Sequence, residues 1–202
     1  MNTKEKILSQ SLILFNQDGV ENITTRHIAK ALGMSQGNLH YHYPNKNSLI
    51  IRLFEQFIAE IKGAARYNPK ESFKKEAVLK SMADNFKIMY QYRFLFKDNE
   101  LVWRRVPTIK EQIIQFFDSK RKEIKALILH YKREGIFRAD ISDQQIDYLA
   151  NQFVFSISSW LVALEYITPF NENSPEYFTQ FTFRLWLPYL KEAEMKKWEA
   201  LL

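Results

Sequence analysis

The sequence predicts an all-α protein: a small N-terminal domain of three helices with a helix-turn-helix, followed by a larger C-terminal helical domain. Three observations lead there. Only 5 Gly and 6 Pro occur in 202 residues, too few turn formers for a many-stranded sheet. Apolar residues recur at threes and fours along most of the chain, the period of an amphipathic helix. The stretch from Thr24 to Lys46, TTRHIAKALGMSQGNLHYHYPNK, reads as two short helices joined by a tight turn.

The first helix is expected from about Thr3 to Gln17, with Ile7, Leu8, Leu12 and Phe15 as its apolar stripe and Asp18-Gly19 ending it. Val20 to Ile23 form a short loop. Thr24 and Thr25 offer hydroxyls that can cap a second helix, whose apolar face is Ile28, Ala29 and Leu32. Gly33 ends it, because glycine adopts the left-handed backbone most easily. Ser35 can cap a third helix, in which Leu39 and Tyr43 fall on the buried side and Pro44 stops the run. Gln36, Gly37, Asn38, His40, Tyr41 and His42 then point away from the core, where a solvated helix would carry Lys and Glu.

Asn45 to Asn47 opens a fourth helix reaching about Arg66, with Leu49, Ile50, Leu53, Phe54, Phe57, Ile58 and Ile61 repeating along it. Tyr67-Asn68-Pro69 is a break. The next helix is expected from about Lys70 to Tyr92, then an aromatic-rich segment interrupted near Asp98-Asn99 and at Pro107. Thr108 to Arg133 is a long helix closed by Gly135. The pattern from Ser142 to Ile167 is apolar nearly all round, with Ile146, Leu149, Phe153, Ile157, Trp160 and Leu164 on one side and Val154, Phe155, Leu161 and Val162 on the rest. The run from Ser174 to Leu190 repeats this double stripe, Pro188 interrupts it, and the charged tail KEAEMKKW can resume a helix. Helices covered on both sides need two neighbours, so a second subunit is expected to bury one side of each. The candidate dimer residues are Phe153, Ile157, Trp160, Leu161, Phe178, Phe181 and Leu185.

Bulk properties exclude several classes. There is no cysteine, hence no disulfide framework or thiolate metal site. The start, MNTKEKILSQ, lacks the apolar core of a signal peptide, and the longest uncharged stretch, Tyr148 to Leu164, is too short and polar to span a membrane. A cytoplasmic protein without a membrane partner is expected. The net charge of +6 suits a polyanion, but residues 1–66 carry 8 basic and 5 acidic side chains against 21 and 18 in the rest. The basic surplus is therefore only modestly denser near the helix-turn-helix. No Gly-x-x-x-x-Gly-Lys loop, Gly-x-Ser-x-Gly elbow or His-Glu-x-x-His occurs, so no catalytic residue is assigned and an enzyme is not expected. His40 and His42, two apart on a helix, diverge, so neither a metal nor a cofactor is expected.

A helix-turn-helix places its second helix in the DNA major groove, though an ordinary αα-hairpin also has short helices and a glycine turn. The elements Thr24-Thr25-Arg26-x-Ile28-Ala29, Gly33-Met34-Ser35-x-Gly37-Asn38-Leu39 and Tyr41-His42-Tyr43-x-x-Lys46 resemble the TetR/AcrR family of bacterial repressors, over roughly Ile7 to Phe54. At His40 the chain departs from the family, which commonly carries tyrosine there. The resemblance implies a DNA-binding domain at 1–47 and an effector-binding and dimerisation domain at 48–202. On the matching positions, Thr25, His42 and Lys46 would hold phosphates, Ser35 would cap the recognition helix, and Gly37 would let the backbone approach the DNA. Gln36, Asn38 and His40 would face base edges, Tyr41 a phosphate or a thymine methyl, and Arg26 a base or phosphate beside the groove.

The resemblance also implies an effector pocket in the larger domain. Phe86, Met89, Tyr90, Phe94, Trp103, Phe116 and Phe117, with Phe153 or Trp160 opposite, either line it or fill the core. Arg104 and Arg105 are candidates for an anionic head group, as on an acyl effector. The expected function is a ligand-responsive repressor that binds a palindromic double-stranded DNA operator as a homodimer and is released by a small, largely apolar effector. The alternative is a helical binding or adaptor protein without DNA affinity.

Overall fold

The computed structural model describes residues 2–64, 74–167, 171 and 173–202, and of residues 164, 165 and 167 the backbone alone. The expected helix end at Arg66, the break at Tyr67 to Pro69 and the expected helix start at Lys70 lie outside the described residues. So does the side chain of Leu164. The described residues form α1 (Thr3–Asn22), α2 (Thr25–Ala31), α3 (Gln36–His42), α4 (Lys46–Ala64), α5 (Lys75–Gln91), α6 (Phe94–Lys97), α7 (Asn99–Arg105), α8 (Pro107–Arg133), α9 (Asp143–Ile167), α10 (Ser174–Arg184) and α11 (Glu192–Glu199), with a 3-10 turn at Leu187–Tyr189. The fold is all-α. Among the described residues, no helix is long and apolar enough to cross a membrane.

Local chemistry sets most ends. Asn2 caps α1 in a reciprocal box: its Oδ1 accepts from the Glu5 amide at 3.0 Å, and its own amide donates to Glu5 Oε2 at 2.8 Å. Gly19 breaks α1 at φ 79°, ψ 156°, where the sequence expects an end, and one further turn carries the chain to Asn22. Asn45 and Ser48 form the box before α4, the Ser48 amide donating to Asn45 Oδ1 at 2.9 Å. Gly135 (φ 71°) closes α8 in a Schellman turn, the Ile136 amide donating to the Tyr131 carbonyl at 2.8 Å.

The chain packs as two compact units: residues up to Gly63 together with Ile88–Ile113, and Ala64–Lys87 together with Ile114–Leu202. The first therefore extends past residue 47, where the DNA-binding motif was expected to end. Its interior joins α1, α4 and α6: Phe15 meets Phe94 at 5.4 Å between ring centres, and Phe57 meets Tyr92 and Phe96 at 5.8 and 5.5 Å. The second unit is built on Phe137, Phe153, Phe183, Trp186 and Trp198, all essentially inaccessible. Trp186 lies 5.1 Å from Phe153 and 4.9 Å from Phe183. Trp198 sits in the charged tail, whose sequence gives no apolar stripe. It is held because α11 folds back, with Lys75 over its ring and paired to Glu194.

Candidate nucleic-acid interface

The helix-turn-helix forms as its sequence dictates. Thr24 caps α2, its Oγ1 accepting from the His27 amide at 3.3 Å, while the Thr24 amide donates to His27 Nδ1 at 3.4 Å. Gly33 (φ 64°) turns the chain in a second Schellman motif: the Met34 amide donates to the Ala29 carbonyl at 3.0 Å and the Gly33 amide to Lys30 at 3.1 Å. Ser35 Oγ accepts from the Asn38 amide at 3.2 Å and caps α3. Ile28, Ala29, Leu39 and Tyr43 are buried. Burial also raises the Tyr43 phenol above its ordinary pKa, only partly offset by nearby Arg52.

Arg26, Ser35, Gln36, Gly37, Asn38, His40 and Tyr41 are exposed, and Thr25 and His42 are half-buried. Tyr41 is 85% exposed, with the His42 ring edge-on at 5.2 Å. The outer face of α3 is thus polar and aromatic, able to offer amides and a phenol to base edges. Two of the candidate DNA contacts, His40 and Lys46, are tied in ways the sequence did not suggest. His40 Nε2 lies 3.1 Å from Thr25 Oγ1, linking α3 to the first residue of α2. Lys46 Nζ donates to the carbonyls of Val20 at 2.6 Å, Ile23 at 2.7 Å and Glu21 at 3.4 Å. Its ammonium sits on the end of α1, where a cation complements the helix dipole. Burial, then nearby Arg105, lowers the Lys46 pKa, against an upward effect from Glu21.

The effector candidates divide between the units. In the first, Phe94 packs on Phe15, Met89 is buried, Arg93 lies over the Tyr90 ring and Lys110 over the Trp103 ring. In the second, Phe86 and Trp160 meet at 5.0 Å, Phe116 and Phe117 at 5.2 Å, and Phe153 is enclosed by Phe183 and Trp186. Arg104 is paired with Glu100, and Arg105 with Glu21 at 3.0 Å.

The dimer assignment needs correction. Phe153, Ile157, Trp160, Leu161 and Phe178 are buried within the subunit, because the stripe of spacing three and four faces its own core. The outward stripe on α9 is instead Tyr148, Phe155, Val162 and Tyr166, at 59, 71, 43 and 82% exposure, joined on α10 by Tyr177 and Phe181. Between them runs an open, mainly apolar groove of about 650 Å³, which Leu185 also lines.

A capped, glycine-turned helix pair presenting such a face defines a helix-turn-helix DNA-binding protein. The chain belongs to the TetR family: residues 7–53 match the family model for bacterial regulatory proteins, tetR family, and residues 56–197 match that for the bacterial transcriptional repressor TetR. It is a ligand-responsive DNA-binding repressor in class. It is 25% identical over 178 residues to the probable HTH-type transcriptional regulator YttP of Bacillus subtilis, covering 84% of this chain and 79% of that one. It is 26% identical over 149 residues to the biofilm operon icaADBC HTH-type negative transcriptional regulator IcaR of Staphylococcus epidermidis, covering 72% and 68%. A TetR-family transcriptional regulator from Marinobacter aquaeolei VT8 superposes with a TM-score of 0.89 at 25% identity, covering 100% of this chain and 97% of that one.

Proposed function

We propose that this chain represses transcription as a homodimer on a palindromic operator and is released by a small, largely apolar effector. The exposed face of α3 carries the DNA half of the reading. Gln36, Asn38 and His40 face base edges, Tyr41 meets a phosphate or a thymine methyl, His42 meets a phosphate, Arg26 lies beside the groove, and Gly37 permits close approach. The exposed apolar stripe on α9 and α10 supports the other half: a second copy covers it, forming a four-helix bundle across a two-fold axis. Two α3 helices then enter successive major grooves about 34–36 Å apart.

Arg104 and Arg105 are held by Glu100 and Glu21, which favours a neutral, largely apolar effector over one with an anionic head group. Release follows to the extent that the effector prefers the conformation with low operator affinity. The test is selection of genomic fragments on the purified chain, then titration across salt. The expected result is a discrete palindromic sequence bound by two protomers, with affinity falling steeply as salt rises. Recovery of no enriched sequence would overturn the proposal.

A further inference from the structure

The α1–α2 connection carries the helix-turn-helix, and residues from three other elements hold it. Gly19 breaks α1 with a backbone that L side chains avoid, and the next residue, Val20, is fully buried. Its amide finds an acceptor outside its own helix: Asp98 Oδ2, at 2.8 Å. Asp98 stands at the junction of α6 and α7, in the N-cap position of α7, where aspartate ordinarily accepts from its own helix. It makes no such cap bond. The carboxylate serves α1 instead, and it sits so close that a Cβ on Gly19 would lie 3.2 Å from Oδ2.

Further groups of the connection are held by α4 and α7. The Lys46 ammonium takes the carbonyls of Val20, Glu21 and Ile23, and Arg105 takes the Glu21 carboxylate. Asn47, beside Lys46, donates to the Arg105 carbonyl at 3.2 Å, closing the circuit between α4 and α7. The segment carrying Asp98 is fixed to α1 a second time: Asn16 donates to the Gln91 carbonyl at 2.8 Å and accepts from the Phe94 amide at 3.1 Å. The Tyr92 hydroxyl donates to Glu60 at 2.5 Å and ties the same segment to α4. All these residues belong to one compact unit.

We propose that Asp98, far outside the helix-turn-helix, is a positioning residue for operator binding: its carboxylate holds the Val20 amide and so sets the course of the connection that leads into α2 and α3. Asp98 touches no DNA. Its removal leaves the phosphate-facing charges in place and costs orientation, so it lowers specific affinity more than non-specific affinity. The inference rests on the chain's DNA binding, and one readout is independent of it.

The experiment uses the full chain with Asp98→Ala and Asp98→Asn, each checked by circular dichroism and melting to be folded at the assay temperature. Asparagine keeps a side-chain oxygen that accepts from the Val20 amide. D98A is expected to lose about tenfold in operator affinity, the scale of one hydrogen bond to a charged acceptor, while affinity for a random duplex stays within about twofold. D98N is expected to recover most of the loss. In parallel, hydrogen exchange at the Val20 amide is expected to be slow in wild type and D98N and fast in D98A, with or without DNA. Should D98A fail to fold, Asp98→Glu, which displaces the carboxylate by one methylene, replaces it with the same expected direction. The proposal is overturned by a folded D98A with operator affinity within twofold of wild type, by equal losses on operator and random DNA, by D98N no better than D98A, or by unchanged Val20 exchange. A wild type that selects no operator would instead sink the DNA reading, and the exchange measurement still decides what Asp98 holds.

Discussion

Lys46→Met separates two roles that one lysine can play. Family resemblance assigns Lys46 to a phosphate; the structure places its ammonium on three carbonyls at the end of α1. Methionine keeps the apolar stem and removes only the charge and its donors. Two of the three bonds are short, and the third, at 3.4 Å, is weak. A hydrogen bond to a charged group contributes about 1.5–3 kcal/mol net. The site is half-buried, so the low end applies, and part of each bond is offset by desolvation of the ammonium. The expected loss is about 2 kcal/mol in the DNA-free protein, or about 4–8 °C in melting temperature for a chain of this size. A lost phosphate contact acts differently. It leaves DNA-free stability alone and makes the slope of log affinity against log salt shallower by about 0.9. The two assays are denaturation without DNA, at fixed protomer concentration, and anisotropy titrations of the operator from low to high salt. The clamp predicts a lower melting point with an unchanged salt slope. An unchanged melting point with a slope shallower by about 0.9 would refute it.

Phe155→Glu, on a side chain 71% exposed, is expected to leave the subunit folded and yield a monomer by light scattering at micromolar concentration; an unchanged dimer mass would remove α9 from the interface. Gly19→Ala forces a side chain into a glycine-only backbone and towards Asp98, with an expected loss of about 2 kcal/mol in denaturation experiments. Wild-type stability would mean that the break at Gly19 is not required. Glu194→Gln tests pH dependence. Lys197, then Lys75, holds the Glu194 carboxyl below its ordinary value of 4.5, so its stabilisation is complete above that value and lost as pH falls through the depressed one. Wild type is expected to exceed the variant by about 1 kcal/mol near neutral pH and to converge with it in acid. A gap independent of pH would refute that origin.

Much of the fold was legible because its punctuation is local. Gly33 and Gly135 take positive φ where the sequence expects helix ends, Ser35 caps α3, and the breaks near Asp98 and Pro107 fall as expected. What could not be read is long-range. The pairing of Asp98 with Val20 spans 78 residues and joins an ordinary aspartate to a backbone amide, and neither carries a sequence signal. Trp198 is buried because α11 folds back, although its neighbours in the chain are Lys and Glu. On α9, periodicity found two apolar stripes but could not tell which one faces its own core. Phe153 proved internal and Phe155 external, and a spacing of two residues on a helix separates the two faces.

The same distinction narrows how α3 can read DNA. His40 is exposed, and exposure alone would leave both ring nitrogens available to bases. Its Nε2 instead lies 3.1 Å from Thr25 Oγ1, so one nitrogen is shared with the residue assigned to a phosphate. A tyrosine at this position, the common family choice, carries its hydroxyl further from the backbone than an imidazole nitrogen reaches. The shorter histidine ends at Thr25 and makes the start of α2 and the middle of α3 one hydrogen-bonded unit. In the proposed complex Thr25 and His40 therefore act together: a phosphate or base that engages one must accommodate or displace the bond to the other. Base discrimination then falls more heavily on the Gln36 and Asn38 amides, whose paired donor and acceptor suit adenine. In that complex His40 has a second task beside its base edge: its bond to Thr25 fixes the start of α2 against the helix that reads the DNA.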